Sequence, residues 1–274
     1  PRLRRGGAPA DRLELPRAPF RIRARAYGSA EQLAAEPLAR RAPGAGEVEI
    51  ALLAAGINWK DVLHARGLLA EHAARRGVTC AAEQVLAYEG VGVVTAVGAA
   101  VAERNVGDRV LVLGVDCLAS HATLPAAHTA LLPAGVDAIA AAGVPTVFAT
   151  VLIALDDLAA VEPGEIVLVH AAAGGVGQAA VQLLRARGAR VLATATPRKQ
   201  AFVRSLGVEV VGDSRSASFA ANVRAATGGT GVDVVLNTSS GAGVAESLAA
   251  LRHGGRFVEL GKLGVWTAQQ VAAV

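Results

Sequence analysis

Ile166-Val167-Leu168-Val169-His170-Ala171-Ala172-Ala173-Gly174-Gly175-Val176-Gly177 is the stretch on which the fold turns, and the apolar run Gln178-Ala179-Ala180-Val181-Gln182-Leu183-Leu184 completes it. A buried strand enters a glycine turn and then a helix, so unspent backbone N–H groups and the positive helix end meet where a pyrophosphate would lie. Gly174 lets the backbone approach the phosphates, and Gly177 lets helix and strand pack closely. Ala172, Ala173, Gly175 and Val176 complete this candidate cofactor turn, with Ala172 standing where a first glycine is usual. An ordinary tight βα turn shares the spacing, but the surrounding strand-helix-strand pattern favours a dinucleotide site.

Working outward, short apolar strands at Ile166–His170, Arg190–Ala195, Glu209–Val211, Asp233–Asn237 and Arg256–Leu260 alternate with helical segments such as Gly177–Arg187 and Val244–His253. That rhythm predicts an α/β unit with a doubly wound parallel sheet. Upstream the pattern is different. Glu47–Leu52 alternates, Gly90–Val94 is a glycine-spaced β run, and Asp108–Leu113 follows a glycine turn, which predicts a β-rich barrel over roughly Phe20 to Val136. A helical stretch from Ala138 to Ala160 leads to the Pro163-Gly164 turn. The expected organisation is a linker (1–18, rich in Arg, Pro and Gly), a β-rich substrate domain (19–137), a Rossmann domain (138–262), and the start of a return segment (263–274).

The second strand of the Rossmann unit selects the dinucleotide, because NAD sites usually carry an acid about 20 residues past the turn, on the ribose 2′-hydroxyl. Here Ala193-Thr194-Ala195-Thr196-Pro197-Arg198-Lys199 holds no acid. Thr196, Arg198 and Lys199 offer hydroxyl and cationic donors for a 2′-phosphate, so NADPH is the expected cofactor. The plainer alternative is that Arg198 and Lys199 open a solvated helix, and Ser214-Arg215 is a second candidate for the same phosphate. Asn237 and Gly261, at later strand ends, join the candidate cofactor residues.

Composition narrows the classes. The chain has 274 residues, 53% of them apolar, with net charge +4 from 27 basic and 23 acidic residues. The basic residues are spread along the chain and aromatics are only 3%, which argues against nucleic acid. Arg, Asp, Glu or Gly is expected to interrupt every apolar run before the roughly 20 residues needed to span a bilayer. A start at Pro1 with no charged-then-apolar leader reads as an excised or processed segment. Cys80 and Cys117 can form one disulfide at most, so a reduced, cytoplasmic setting is expected. His64, His72, His121, His128, His170 and His253 show no metal-ligand spacing, and no metal is expected. Only Lys60, Lys199 and Lys262 are lysines among many arginines, which marks them as sites where a compact ammonium has a use.

A β domain followed by a Rossmann domain with Ala-Ala-Gly-Gly-Val-Gly resembles the medium-chain dehydrogenase/reductase superfamily, whose β domain is GroES-like. Gly56-Ile57-Asn58-Trp59-Lys60-Asp61-Val62-Leu63, Tyr88-Glu89-Gly90-Val91-Gly92-Val93-Val94, Val144–Thr150 and Gly254–Lys262 are similar to segments of zinc-independent enoyl reductase domains of polyketide and fatty acid synthases. The resemblance covers about residues 20–274. It implies hydride transfer from NADPH to the β carbon of a 2-enoyl thioester on an acyl carrier protein, then α-carbon protonation, beside synthase domains such as a ketoreductase. It also implies that Lys262 gives the proton or stabilises the enolate, that Asn58 and Thr150 line the nicotinamide, and that Lys60 and Leu69 lie near substrate. Leu69 stands where members that set one α-methyl configuration carry Tyr, so a tyrosine donor is expected to be absent. The acid that partners the family lysine belongs to a segment beyond Val274. A stand-alone quinone or alkenal reductase and a catalytically silent cofactor-binding domain would share many of these residues.

Overall fold

The computed structural model describes residues 15–216 and 219–273, so most of the expected linker at 1–18 lies outside the described residues. The chain forms two compact units, Pro1–Thr146 and Val147–Val274.

In the first unit, β1 (Phe20–Ala24) and β2 (Leu33–Pro37) pair as an antiparallel hairpin. Next come β3 (Glu47–Ala55), the short helices α1 (Trp59–Ala65) and α2 (Ala70–Ala74), β4 (Glu89–Val97), β5 (Arg109–Leu113), β6 (His121–Pro125), β7 (Thr129–Leu131) and α3 (Ala138–Ala141). Strands β3 to β7 make one antiparallel sheet in the order β6-β3-β4-β5-β7. The sequence suggested a barrel, but β6 and β7 remain edges, so the hydrogen-bonded ladder is open. Alternate residues of β3 and β5 turn inward, Val48 and Ile50 meeting Val94, Val110, Val112 and Leu124. Cys117 joins this core, its thiol pushed up to about 12 by burial, and Cys80 is a free, exposed thiol.

The hairpin is fastened by Arg23, which is buried and whose guanidinium grips both carboxylate oxygens of Asp116. A buried guanidinium left without its partner is costly.

The second unit is entered through α4 (Pro145–Leu152), which runs on as a π-helical turn at Ile153–Leu158. The segment Ala138–Leu158 is long and apolar enough to cross a membrane by length and composition alone, although Gly143, Asp156 and Asp157 interrupt it as expected. A turn at residues 142–144 divides it. Pro145 lacks an N–H, disfavours helix at Val144 and suits the first position of a new helix. Val151, Ala154 and Leu155 then bury into the second unit's core.

Five parallel strands follow: β8 (Ile166–Val169), β9 (Arg190–Thr194), β10 (Glu209–Gly212), β11 (Val232–Asn237) and β12 (Leu251–Glu259), in the order β10-β9-β8-β11-β12. The helices between and after them are α5 (Gly175–Ala186), α6 (Pro197–Ser205), α7 (Ala220–Ala226), α8 (Ala242–Ala249) and α9 (Ala268–Ala272). The strands' period of two serves both faces. Val167, Val169, Val191, Ala193, Val234 and Leu236 pack with α5 and α6 residues, while Leu168, Leu192 and Val235 pack with Phe219, Ala220 and Val223 on the other side. This is the doubly wound arrangement the sequence predicts. The largest boundary difference is at the last helix and strand: the helix expected at Val244–His253 stops at Ala249, and the strand expected from Arg256 begins at Leu251. Val232 pairs with Leu251, and the register then jumps to Val234 with Arg256, the excess chain passing through Gly254 at φ 73°.

Asp116→Ala is expected to destabilise the first unit by about 2 kcal/mol or more, because Arg23 would stay buried without its carboxylate. Urea unfolding measures this, and adding Arg23→Met should recover part of the loss.

Candidate functional site

The order β10-β9-β8-β11-β12 reverses direction between β8 and β11, and such a switch point opens a crevice at the carboxyl ends of the strands. At that end β8 runs into the glycine turn. Ala171 takes the left-handed conformation, φ 47°, costing a residue with a Cβ about 1–2 kcal/mol. The position that favours glycine is thus Ala171, one residue before the place the sequence suggested. Ala172 is fully buried and its N–H donates to Thr194 O at 3.1 Å. Gly174 N–H turns back to Ala171 O at 2.8 Å, and Gly174 caps α5. The N–H of Gln178 is returned to Gly174 O, so those of Gly175, Val176 and Gly177 precede the helical ladder. A Cβ on Gly177 would stand 2.6 Å from both Ala171 O and Ala172 Cα, whereas one on Gly174 would stand 3.2 Å from Ala171 O. Helix and strand therefore touch at Gly177, and the turn is shaped to admit a diphosphate.

His170, just before the turn, is a residue whose part the sequence did not reveal. It is buried, with Nδ1 2.9 Å from Thr194 Oγ1 and Nε2 2.9 Å from Ser247 Oγ. Ser247 donates its hydroxyl proton to Gly243 O at 2.6 Å, so its oxygen accepts from Nε2–H and Thr194 donates to Nδ1. Phe219 closes the site edge-on at 4.8 Å. Burial pulls the imidazole pKa down to about 4. A neutral histidine thus clamps β8, β9 and α8 together. The available signal was a polar residue ending an otherwise apolar strand, opposite a threonine on the next.

Past β9, Thr196 caps α6 and Pro197 opens it. Arg198 and Lys199 are exposed in its first turn, which contains no acid. Cations there add to the positive helix end instead of offsetting it, an arrangement that suits a bound anion. Arg215, exposed beyond β10, donates its backbone N–H to Asp213 Oδ1 at 3.0 Å.

At the ends of β11 and β12, Asn237 is buried and its Nδ2 donates to Glu259 Oε2 at 2.7 Å and Ser239 O at 3.0 Å. Glu259 Oε1 accepts Gly261 N–H at 2.5 Å. One Asn237 donor goes to Glu259 on β12 and the other to Ser239 O, and its Oδ1 accepts Ser239 N–H at 3.1 Å, so its side chain serves mainly to shape the strand ends. Lys262 follows, exposed. Thr150 lies partly buried on α4.

The first unit holds the other candidates. Asn58 caps α1 in extended conformation, its N–H donating to Asp61 Oδ2 at 2.8 Å and its Nδ2 to Glu89 Oε1 at 2.7 Å. Asp61 is buried, and its Oδ1 accepts Ala87 N–H at 2.9 Å; burial raises its pKa against the pull of these two donors. The Lys60 ammonium sits 4.0 Å above the Tyr88 ring, a cation–π contact. Leu69 caps α2 and is 2% exposed, so it presents almost no surface to a ligand. Among the described residues, no group of three or more His, Cys, Asp and Glu side chains is placed to hold a metal.

A GroES-like β unit joined to a nucleotide-binding Rossmann unit defines a medium-chain dehydrogenase/reductase. The family described as alcohol dehydrogenase GroES-like domain matches residues 44–162, and that described as zinc-binding dehydrogenase matches residues 175–272. The CurK enoyl reductase crystal structure is 42% identical with a TM-score of 0.89, and the match covers 93% of this chain and 77% of that one. The pikromycin polyketide synthase component PikAII of Streptomyces venezuelae is 42% identical over 293 residues, covering 100% of this chain but 8% of that protein. Within the superfamily the chain therefore belongs to the enoyl reductase domains of polyketide synthases. The Escherichia coli quinone oxidoreductase complexed with NADPH is a further relative, 28% identical with a TM-score of 0.79, covering 93% of this chain and 77% of that one. The zinc in one family description finds no fitting ligand set among the described residues.

Gly177→Ala is expected to cost about 1–3 kcal/mol by overpacking the strand–helix contact and to weaken dinucleotide binding, while Gly174→Ala costs less. Thermal unfolding and NADPH fluorescence titration compare the two. A second prediction concerns pH. The His170 pKa falls from 6.5 to about 4 on folding, so the unfolded chain takes up this proton first. Stability from this group is intact above pH 6.5 and is lost as pH falls toward 4, by up to about 3 kcal/mol. Denaturant titrations between these pH values should show a shallower decline in His170→Gln than in the wild type.

Proposed function

We propose that this chain reduces the carbon–carbon double bond of a 2-enoyl thioester carried on an acyl carrier protein, using NADPH, as one step of polyketide or fatty acid biosynthesis. The observation that carries the reading is the acid-free, cationic strand end at Thr196, Arg198 and Lys199, beside a glycine turn with no room for a side chain at Gly177. In this reading residues 19–137 bind substrate and 138–262 bind cofactor. The enoyl reductase relatives support the reaction class, and the NADPH-bound quinone oxidoreductase relative supports the cofactor. The chain spans a small fraction of the polyketide synthase relatives it matches, and a carrier protein and neighbouring domains such as a ketoreductase are its proposed partners.

When bound, NADPH supplies a hydride. The N–H groups of Gly175, Val176 and Gly177 hold the diphosphate, and Thr196, Arg198 and Lys199, with Arg215 near the third strand end, hold the 2′-phosphate. Asn58 and Thr150 line the nicotinamide. Addition of hydride at the β carbon drives the π electrons onto the thioester carbonyl, and the resulting enolate is stabilised by a nearby cation. Lys262, an exposed ammonium past β12, serves as that cation or gives its proton to the α carbon. Glu259 and Asn237 hold the strand ends from which Lys262 projects.

NADPH consumption measured with an enoyl-pantetheine thioester and with a free quinone tests the substrate class. Faster turnover of the thioester is expected, and turnover of the quinone alone would instead favour a stand-alone quinone reductase. Arg198→Ala should raise KM for NADPH about 10-fold or more and leave KM for NADH nearly unchanged. Lys262→Ala should lower kcat for the thioester with NADPH binding retained.

A further inference from the structure

We infer that Glu89 is a positioning residue for the reaction: its buried carboxylate fixes which way the Asn58 amide faces and ties that amide to the start of α4. The inference rests on the proposed enoyl reduction, in which Asn58 lines the nicotinamide. Glu89 opens β4 and is 1% exposed. Its Oε1 accepts from Asn58 Nδ2 at 2.7 Å and its Oε2 accepts from Thr146 N–H at 2.7 Å. Thr146 is the second residue of α4, so one oxygen satisfies an otherwise unspent donor at a helix start and the other holds a side chain from a separate loop. The main chain makes the same junction, Gly56 N–H donating to Glu89 O at 3.1 Å.

Gly56 is what admits this carboxylate. A Cβ there would stand 2.5 Å from Glu89 Cγ and 2.6 Å from both Glu89 Oε1 and Ala142 O. Three segments of the first unit, at residues 56–58, 89 and 142–146, thus converge on one side chain. A helix cap alone would need one oxygen and would be indifferent to Asn58. The second oxygen selects the amide's face: an acceptor-only carboxylate demands Nδ2, which turns Oδ1 the other way, on the capping-box side at the start of α1. As an acceptor, Oδ1 suits a donor group such as a carboxamide NH2. Asn58 N–H, held by Asp61, fixes the backbone of the same residue, so the amide has little freedom left.

The test is Glu89→Gln. The substituted side chain would keep one acceptor for Thr146 N–H and turn an NH2 toward Asn58, reversing its amide. With enoyl-pantetheine and NADPH, kcat is expected to fall about 10- to 100-fold, the scale of a misplaced reactant, with KM for NADPH within about threefold of wild type. Asn58→Ala should show a similar fall, and Glu89→Gln should add nothing in that background. The exchanged pair, Glu89→Gln with Asn58→Asp, places the amide on β4 as donor and the carboxylate at the start of α1 as acceptor. It should recover kcat to within about tenfold of wild type. Wild-type kcat in a Glu89→Gln protein with lowered thermal stability would overturn the inference and reduce Glu89 to a helix cap. So would simple additivity in the double variant. Should Glu89→Gln fail to fold, Asn58→Asp alone decides. It keeps an acceptor oxygen but cannot donate to Glu89, so kcat is expected to fall as in Asn58→Ala, and wild-type kcat would overturn the inference. A wild-type protein inert toward the thioester would overturn both this inference and the function on which it rests.

Discussion

The contact between Gly177 and the backbone of Ala171 and Ala172 is the constraint on which the nucleotide-binding unit depends. With no Cβ in the way, α5 can leave β8 at close range, and its first N–H groups gather over the end of the strand. A bulkier residue would lift the helix, and the same N–H groups would diverge. The strain accepted at Ala171, whose φ is 47°, belongs to the same geometry. It lets the chain reverse fast enough for Gly174 N–H to reach Ala171 O. Strain of this kind persists where surrounding contacts over-determine it, and here the burial of Ala172 and the His170 clamp supply those contacts.

Each candidate ligand-facing loop is anchored by one buried or half-buried polar side chain at a strand terminus. His170 joins β8, β9 and α8, Glu259 joins the ends of β11 and β12, and Glu89 joins the loop of Asn58 to the start of α4. The common physics is that polar groups at strand ends and helix starts, backbone and side chain alike, must find partners where water is excluded. A carboxylate satisfies two at once and holds two segments in doing so. Rigid loops with satisfied anchors are what an oriented hydride transfer requires.

Much of this was legible in the sequence, and the reasons differ by region. The parallel sheet could be read because its strands are apolar on both faces and its turn is written in glycines. The helix start past β9 could be read because Pro197 suits a first helical position and Thr196 a cap. The β unit was harder. Its alternation predicted strands, but closure depends on which edges pair, and the open ladder from β6 to β7 leaves no local mark. The helix expected through Ala160 failed at Val144-Pro145, where proline chemistry was visible but was outweighed by apolar composition. The anchors were the least legible. Glu89 and Glu259 read as parts of motifs, and His170 as one of several scattered histidines, because their partners are distant in sequence: Thr146 lies 57 residues from Glu89 and Ser247 lies 77 from His170.

The placement of charge separates the residues that hold the site from those that meet a ligand. Asp61 and Glu89 are buried, and each accepts two N–H bonds, one on each oxygen, so their negative charge is directed inside the protein. Arg198, Lys199, Arg215 and Lys262 are exposed. A carboxylate that is buried and bonded on both oxygens is shielded from a solution cation, whereas exposed ammonium and guanidinium groups keep their donors for an incoming anion. Within the nucleotide unit these cations follow the carboxyl ends of β9, β10 and β12. In the proposed function, a phosphate-rich dinucleotide would meet positive partial charge from the helix and full positive charge from these side chains. Lysine at 262 also fits this division, because a compact ammonium can surrender a proton where a guanidinium cannot.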